Sequence, residues 1–328
     1  MANVTWAAPW CAAIGNAMNQ LPLISMTQSA ENLASQLGGS FQQYGFAMVC
    51  DHGLEKGLLA RAWDLTAALF AEPAEYKLRY HDPEGAGARG YTPFGVEIAK
   101  GAQYHDLKEF WHIGREASKG RPLPPGMQPN IWPDRPDGFI GTFRTLYSAF
   151  DSLGTRLLSP IARWLGLSPD WFDDVVSDGN SVLRLLHYPP VSDDAAGAIR
   201  AGAHEDINLI TLLLGAEEAG LEIRTREGEW IGVNPPHGAL VINVGDMLQR
   251  LTNHVLPSTT HRVRNPSGER APHSRYSMPF FLHPRSDFLI ETLPGCISPD
   301  RPNRYSRPIS ADAYLTERLR DIGLLPRA

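Results

Sequence analysis

The chain has 328 residues, 43% of them hydrophobic and 20% charged, with a formal net charge of −6 and a pI near 6.0. That balance describes an ordinary globular chain able to bury a sizeable core. The absence of any dense Lys/Arg block excludes a general binder of nucleic acid or anionic membranes, because phosphate attraction needs a basic face. Cys11, Cys50 and Cys296 are scattered and form no CxxC pair of zinc or redox type, and no run reaches the roughly 18 apolar residues of a membrane span, so a reducing cytoplasm is the expected setting.

Residues 1–20 lack the basic region of a secretory leader and read as an irregular arm. LPLISM is a short extended start, after which Leu33, Leu37, Phe41 and Tyr44 recur at helical spacing until Gly45 interrupts them. FAMVC reads as a strand, with Asp51-His52-Gly53 as its turn and a structural role for His52. Helical spacing resumes through Leu58, Leu59, Ala62, Leu65 and Leu69, and the glycine-rich run DPEGAGARGYTPFGV at 82–96 reads as loop. DLKEFWHIG at 106–114 reads as a strand bordering a pocket, with Trp111 and Phe94 taken as core aromatics in preference to pocket-lining ones.

From Phe139, the positions Phe143, Leu146, Phe150, Leu153, Leu157 and Ile161 keep steps of three and four, which predicts one long amphipathic helix with a bend at Pro160. Beyond about residue 178 the texture changes to short β-rich runs between turn residues: VLRLLHY, NLITLLL, LEIRT, EWIGV, ALVINV, HRVRN and RYSMPFFL. Their number and spacing predict an antiparallel sandwich or barrel, followed by a final helix over roughly 311–325. The fold class is α+β with a mainly β core, a helical N-terminal half wrapped on a β-rich C-terminal half. With no repeat and no low-complexity linker, the halves are expected to form one cooperative unit.

AHEDINLITLL at 203–213 places charge at the mouth of an apolar run. If the segment is one strand, His204 and Asp206 share a face and Glu205 points away, as an ion-pair or surface residue. His261, in STTHRVRNP, is the candidate third ligand. Two histidines and one carboxylate with open positions form the facial triad of non-haem Fe(II) oxygenases, although HxD followed by a distant histidine also arises by chance. In RYSMPFF, Arg275 and Ser277 lie two apart and can grip a carboxylate together; the bland alternative is an edge strand with its polar residues turned outward.

HED at 204–206, NVGDMLQRLTNHVLPSTTHRV at 243–263 and RYS at 275–277 resemble the isopenicillin N synthase-like family of Fe(II)/2-oxoglutarate-dependent dioxygenases. LPLISM, YGFAMVCDHG, FAEPAEYK, RGYTPFG and DLKEFWHIG are similar to that family's N-terminal region in order and spacing, so the resemblance spans roughly residues 20–320. It implies a double-stranded β-helix (jelly roll) in which His204, Asp206 and His261 hold Fe(II). It also implies that Arg275 and Ser277 bind the distal carboxylate of 2-oxoglutarate, with Tyr188 adding a phenol hydrogen bond. The implied division is an N-terminal region at 20–135, a supporting helix and connection at 136–177, the jelly-roll core at 178–286 and a C-terminal extension at 287–328.

Three positions depart from the family or stand apart from its chemistry. Leu186 stands where plant members carry an asparagine, and Asn253-His254 replaces a common Asn-Gly turn, which leaves His254 as an exposed turn residue. Gly245-Asp246 reads as a tight turn with Asp246 as its cap.

The resemblance implies that 2-oxoglutarate and O2 are consumed to succinate and CO2 while a C–H bond of a small organic substrate is oxidised. A 2-oxoglutarate-independent iron oxidase or cyclase of the same fold and a non-catalytic jelly-roll binding protein are the rival readings. A cupin-like zinc hydrolase is weakened by the lack of an evident general base. The partner is expected to be a small-molecule substrate, with no nucleic acid, no membrane and a monomeric chain.

Overall fold

The computed structural model describes residues 21–85, 87–96, 106–117, 122–124, 126–190, 200–214, 220–265 and 273–321. The expectations for residues 1–20 and for the end of the final helix lie outside the described residues. β1 (Leu23–Ser25) and β2 (Phe46–Cys50) bracket helix α1 (Ala30–Tyr44). Ser29 caps the start of α1 by accepting from the Asn32 amide at 3.3 Å, and Gly45 takes a φ of +67° at its end, a left-handed conformation that glycine adopts without strain. α2 (Lys56–Phe70) starts on the Glu55 carboxylate, which accepts from the Gly57 and Leu58 amides, and the short α3 (Ala74–Leu78) follows.

β3 (Gly90–Thr92) lies inside the stretch expected to be loop: it pairs antiparallel with β4 (Glu109–Gly114), and Tyr91 meets Trp111 across the pair. Three residues among glycines are too few for a periodicity to show. α4 (Phe139–Trp164) buries the predicted stripe of Phe143, Leu146, Phe150, Leu153, Leu157 and Ile161, and it contains Pro160. α5 (Asp173–Val176) leads into β5 (Val182–Tyr188), β6 (Ala201–His204), β7 (Ile210–Leu214), β8 (Leu221–Arg224), β9 (Trp230–Gly232) and β10 (Leu240–Val244). α6 (Asp246–Leu251), β11 (His261–Val263), β12 (Arg275–Leu282), β13 (Leu289–Ile290), β14 (Ile309–Ser310) and α7 (Ala311–Asp321) complete the chain.

The strands form an eight-stranded sheet in the order β1-β2-β10-β7-β12-β5-β4-β3, facing a four-stranded sheet in the order β6-β11-β8-β9. This is the jelly-roll arrangement with its helices on one side. The N-terminal half does more than wrap the β core, because β1 to β4 extend both edges of the larger sheet. α1, α2 and α4 cover the outer face of that sheet, where Phe150 stacks on Phe280 at 5.6 Å. Between the sheets lie two further apolar clusters. One joins Phe46, Met48 and Val241 to Leu221 and Ile223; the other joins Phe110, Leu186 and Tyr188 to Ala201 and Val263.

Several single-residue expectations resolve here. Trp111 is fully buried in the main core, whereas Phe94 is 49% exposed, so it is not a core residue. A glycine-flanked aromatic gives no sign of which way it faces. His52 has the structural role expected of it: its Nδ1 accepts from the Leu54 amide at 3.1 Å and its Nε2 meets the Gly238 carbonyl at 2.9 Å.

Candidate metal centre and co-substrate pocket

AHEDINLITLL is not one strand. β6 ends at His204, β7 begins at Ile210, and the two belong to different sheets, so Asp206 sits in the crossing between them. Strand alternation is therefore not what aims His204 and Asp206 at one point. The crossing does so, and it is pinned by the chain that follows β10. Gly245, Asp246 and Met247 donate their amides to the carbonyls of Leu209, Asp206 and Asn208 at 2.9, 2.7 and 3.1 Å. A Cβ on Gly245 would stand 2.2 Å from the Asn208 carbonyl oxygen, so this approach needs glycine. The Gly245-Asp246 expectation is corrected accordingly: Asp246 opens a short helix and is buried, with its carboxylate 3.2 Å from Arg318 of α7. Burial and the neighbouring Glu205 raise its pKa to about 6.

His261 opens β11 directly opposite His204 of β6. Among the described residues, His204, Asp206 and His261 form a group whose ligand atoms all lie within 4.8 Å of one another. The Nε2 atoms of His204 and His261 stand 3.9 and 4.0 Å from Asp206 Oδ1. Each histidine turns its Nδ1 to a backbone carbonyl, His204 to Gly202 at 2.7 Å and His261 to Thr259 at 3.2 Å. That bond places the proton on Nδ1 and leaves the Nε2 lone pair for a metal. The Asp206 Oδ2 accepts from Thr211 Oγ1 at 2.5 Å and from Asn243 Nδ2 at 2.8 Å, which directs Oδ1 into the cluster.

The electrostatics match a ligand set. Burial, with the repulsion of His204, lowers the His261 pKa to about 4, so it is neutral near pH 7. Burial alone would raise the pKa of Asp206. His261 and His204 outweigh burial, with help from the Asn243 and Thr211 hydrogen bonds, and hold the carboxylate below its ordinary value. Asp206 and His261 side chains are 8% and 10% exposed but His204 is 38% exposed, so one side of the cluster stays open. Two nitrogen donors and one oxygen, with no thiolate and an open side, suit Fe(II).

Sequence reasoning misses Thr211 and Asn243. Each is a polar residue inside an apolar strand, ITLLL and LVINV, and that is the available signal. Glu205 is partly exposed and, among the described residues, forms no ion pair; it accepts from Thr260 Oγ1 at 2.8 Å. His254 is half-buried, with its Nε2 2.7 Å from Tyr305 Oη and its ring stacked on that of Tyr305. The exposed turn expected for it is covered by the C-terminal segment, which the local sequence cannot show.

β12 runs beside β5, with Arg275 opposite Tyr188 and Ser277 opposite Leu186. Opposed residues in antiparallel strands share a face, and Leu186 and Tyr188 lie in the cluster between the sheets. Arg275 and Ser277 therefore point inward, 4% and 2% exposed, and the outward edge-strand alternative is excluded. The Arg275 guanidinium lies 5.0 Å from the Tyr188 ring centre. Leu186 takes the place of a polar contact with an apolar one, packing between Phe110 and Ser277. The result is an apolar space between the sheets with a buried cation at one end and the His-Asp-His cluster at the other.

The chain matches two family models, the 2OG-Fe(II) oxygenase superfamily over residues 179–284 and the N-terminal region of the non-haem dioxygenases described from morphine synthesis over residues 21–135. It is 33% identical to a proline hydroxylase of Petromyces alliaceus, over 88% of this chain and 93% of that one. Among solved structures, a 2OG-Fe(II) oxygenase family protein from Caulobacter crescentus is 50% identical, with a TM-score of 0.86 over 92% of this chain and 99% of that one. A full-length Neurospora crassa protein crystallised in complex with alpha-KG is 29% identical, with a TM-score of 0.80 over 93% of this chain and 98% of that one.

Proposed function

The chain belongs to the 2OG-Fe(II) oxygenase superfamily, and we propose that His204, Asp206 and His261 hold its iron while Arg275, Ser277 and Tyr188 hold its 2-oxoglutarate. The protein is a 2-oxoglutarate-dependent dioxygenase that uses Fe(II), 2-oxoglutarate and O2 and couples decarboxylation to succinate with hydroxylation of a small organic substrate. The use of 2-oxoglutarate sets aside the iron oxidase and the non-catalytic binding protein.

The observation that carries the residue assignment is the division of labour on Asp206. One oxygen is held by Thr211 and Asn243, while the other stands within 4.0 Å of both histidine Nε2 atoms. The bound iron supplies oxygen activation. The chain's own residues fix the donor atoms, keep the His261 imidazole neutral and place a buried guanidinium at the far end of the space between the sheets. Arg275 offers a planar fork and Ser277 a hydroxyl to a carboxylate, and Tyr188 offers its phenol across the strand pair. Apolar Phe110, Leu186 and Val263 exclude water from the space between. No helix among the described residues is long and apolar enough to cross a membrane.

We read 20–135, 136–177, 178–286 and 287–328 as parts of one folding unit, a reading supported by a main core cluster that runs from Ile24 to Ala311. The similarity to a proline hydroxylase supports a substrate of amino-acid size. The test is anaerobic loading with Fe(II) followed by 2-oxoglutarate and O2: wild-type protein should release succinate, and Asp206→Ala should bind no iron and release none. Full iron binding by Asp206→Ala would remove the assignment.

A further inference from the structure

DLKEFWHIG borders the space between the sheets through Phe110, and its first residue has no part in the site described so far. Asp106 lies just ahead of β4 and is buried. Its Oδ2 meets Lys108 Nζ at 2.8 Å, in an ion pair whose side chains are both under 10% exposed, so the charge of the buried carboxylate is balanced. Its Oδ1 accepts at 3.0 Å from the amide of Gly202, on β6 of the other sheet. Gly202 is the residue whose carbonyl accepts from His204 Nδ1 at 2.7 Å. Three contacts therefore run in series, from Lys108 to Asp106, from Asp106 to Gly202 and from Gly202 to the imidazole of His204.

The place of β6 in its sheet explains why such a bond matters. It is an edge strand, with β11 on one side and no strand on the other among the described residues. Its register with β11 also slips: His204 lies opposite His261 and Ala201 opposite Val263, so Gly202 and Ala203 together face the single residue Arg262. A bulge of this kind takes its extra residue out of the ladder, and glycine leaves the backbone there with no Cβ to restrain it. The carbonyl that orients His204 thus belongs to a stretch that its own sheet holds on one side only, and irregularly. His261 differs on each count. β11 lies between β6 and β8, with His261 opposite both His204 and Ile223, and the Phe46 ring meets its imidazole edge-on at 5.4 Å.

We propose that Asp106 is a positioning residue for the metal site. By holding the Gly202 amide at the open edge of β6, it fixes the direction of the Gly202 carbonyl, and with it the ring orientation and the Nδ1–H tautomer of His204. Lys108 takes one carboxylate oxygen and leaves the other for the amide, in a charge-assisted bond stronger than a neutral one. The proposal rests on the assignment of His204 to iron. It ties the lead-in to β4 to a metal centre whose three ligands all come from the second half of the chain.

The test uses Co(II) in the full chain, because a Co(II)-bound imidazole gives a strongly shifted proton signal for its Nδ1–H. The wild-type protein should show two such signals in water. The faster-exchanging one belongs to His204, whose side chain is 38% exposed against 10% for His261. Asp106→Ala should weaken Co(II) binding about tenfold, the low end of the roughly 10- to 100-fold range for outer partners of a metal ligand, since Asp106 acts one bond further out. It should also speed the exchange of the His204 signal while the His261 signal keeps its place and its rate. Asp106→Asn, whose side-chain oxygen still accepts from Gly202, should restore affinity and signal although it gives up the ion pair with Lys108. In folded Asp106→Ala protein, unchanged Co(II) affinity or an equal change in both signals overturns the proposal. So does an Asp106→Asn protein as impaired as Asp106→Ala, which would make the ion pair the contact that counts. If Asp106→Ala does not fold, hydrogen exchange of the Gly202 amide in the wild-type protein decides: strong protection supports the bond to Asp106, and exchange at the rate of an open strand edge overturns it. Failure of the iron assignment looks different, since the wild-type protein would then bind no Co(II) through these histidines and show neither signal.

Discussion

Thr211→Val isolates the support of the metal ligand from the ligand itself. Thr211 is 3% exposed, accepts from Asn208 Nδ2 at 2.8 Å and donates to Asp206 Oδ2 at 2.5 Å. Valine matches its shape and its strand preference, so β7 is retained while the hydroxyl is lost, and with it the bonds to Asp206 and Asn208; Asn208 keeps its bond to the Ile210 carbonyl. A hydrogen bond to a charged group contributes about 1.5–3 kcal/mol, and removal of such outer support weakens metal binding roughly 10- to 100-fold. The bond from Asn243 remains, which places the expected loss near the lower end, about tenfold. The assay is anaerobic Fe(II) titration of the metal-free protein, with Co(II) as a slower-oxidising check, alongside urea unfolding without metal. Iron affinity should fall by that factor. Unchanged affinity in a folded variant would refute the argument that Thr211 sets the direction of the Asp206 donor.

Further outcomes follow from the same geometry. His261 has a folded pKa of about 4 against 6.5 in the unfolded chain, so the unfolded state binds the proton more readily. The contribution of His261 is fully present above pH 6.5 and is lost as pH falls toward 4, by about 3 kcal/mol in all at ~1.36 kcal/mol per pKa unit. Denaturant unfolding of metal-free protein at pH 7, 5.5 and 4.5 should show that slope, and His261→Gln should be shallower by about one proton; equal slopes would contradict it. Arg275→Met should raise the 2-oxoglutarate Kd by roughly 30-fold or more, the cost of about 2 kcal/mol or more for removing a buried charge partner, with Fe(II) affinity unchanged. Glu109→Leu strands the ammonium of Lys77, which lies 2.8 Å from Glu109 with both side chains under 10% exposed, and should lower stability by about 3–5 kcal/mol. Because Glu109 also meets His187 of β5 at 2.7 Å, that loss should appear as a shift of one unfolding transition; two separated transitions would contradict the single folding unit.

The sequence shows the repeating parts of this fold and hides its joints. The α4 stripe from Phe143 to Ile161 keeps one helical period and FAMVC is a short continuous apolar run, and the structure places both as expected. AHEDINLITLL obeys no single period because the chain changes sheets within it, and β-propensity on both sides of the crossing makes it read as one strand. The sequence points to His204 and Asp206 as neighbours through an incorrect local geometry, since the crossing and not strand alternation brings them together. The inward aim of Arg275 and Ser277 becomes definite only from register, since the side on which Leu186 and Tyr188 lie depends on a second sheet far away in sequence. His254 and Asp246 escape local reasoning for the same cause: Tyr305 and Arg318, which bury and pair them, come from the C-terminal segment. Asp106 and Gly202 are 96 residues apart in sequence, and their bond joins the lead-in to β4 with a strand of the other sheet.

The central claim is that His204, Asp206 and His261 bind iron at the open mouth of the jelly roll. A crystal of the protein loaded anaerobically with Fe(II) and 2-oxoglutarate, measured at the iron absorption edge, tests it most directly. The account predicts one strong anomalous peak in bonding contact with His204 Nε2, Asp206 Oδ1 and His261 Nε2, with 2-oxoglutarate extending from it toward Arg275. An iron peak held by other residues, or 2-oxoglutarate turned away from Arg275, would contradict it.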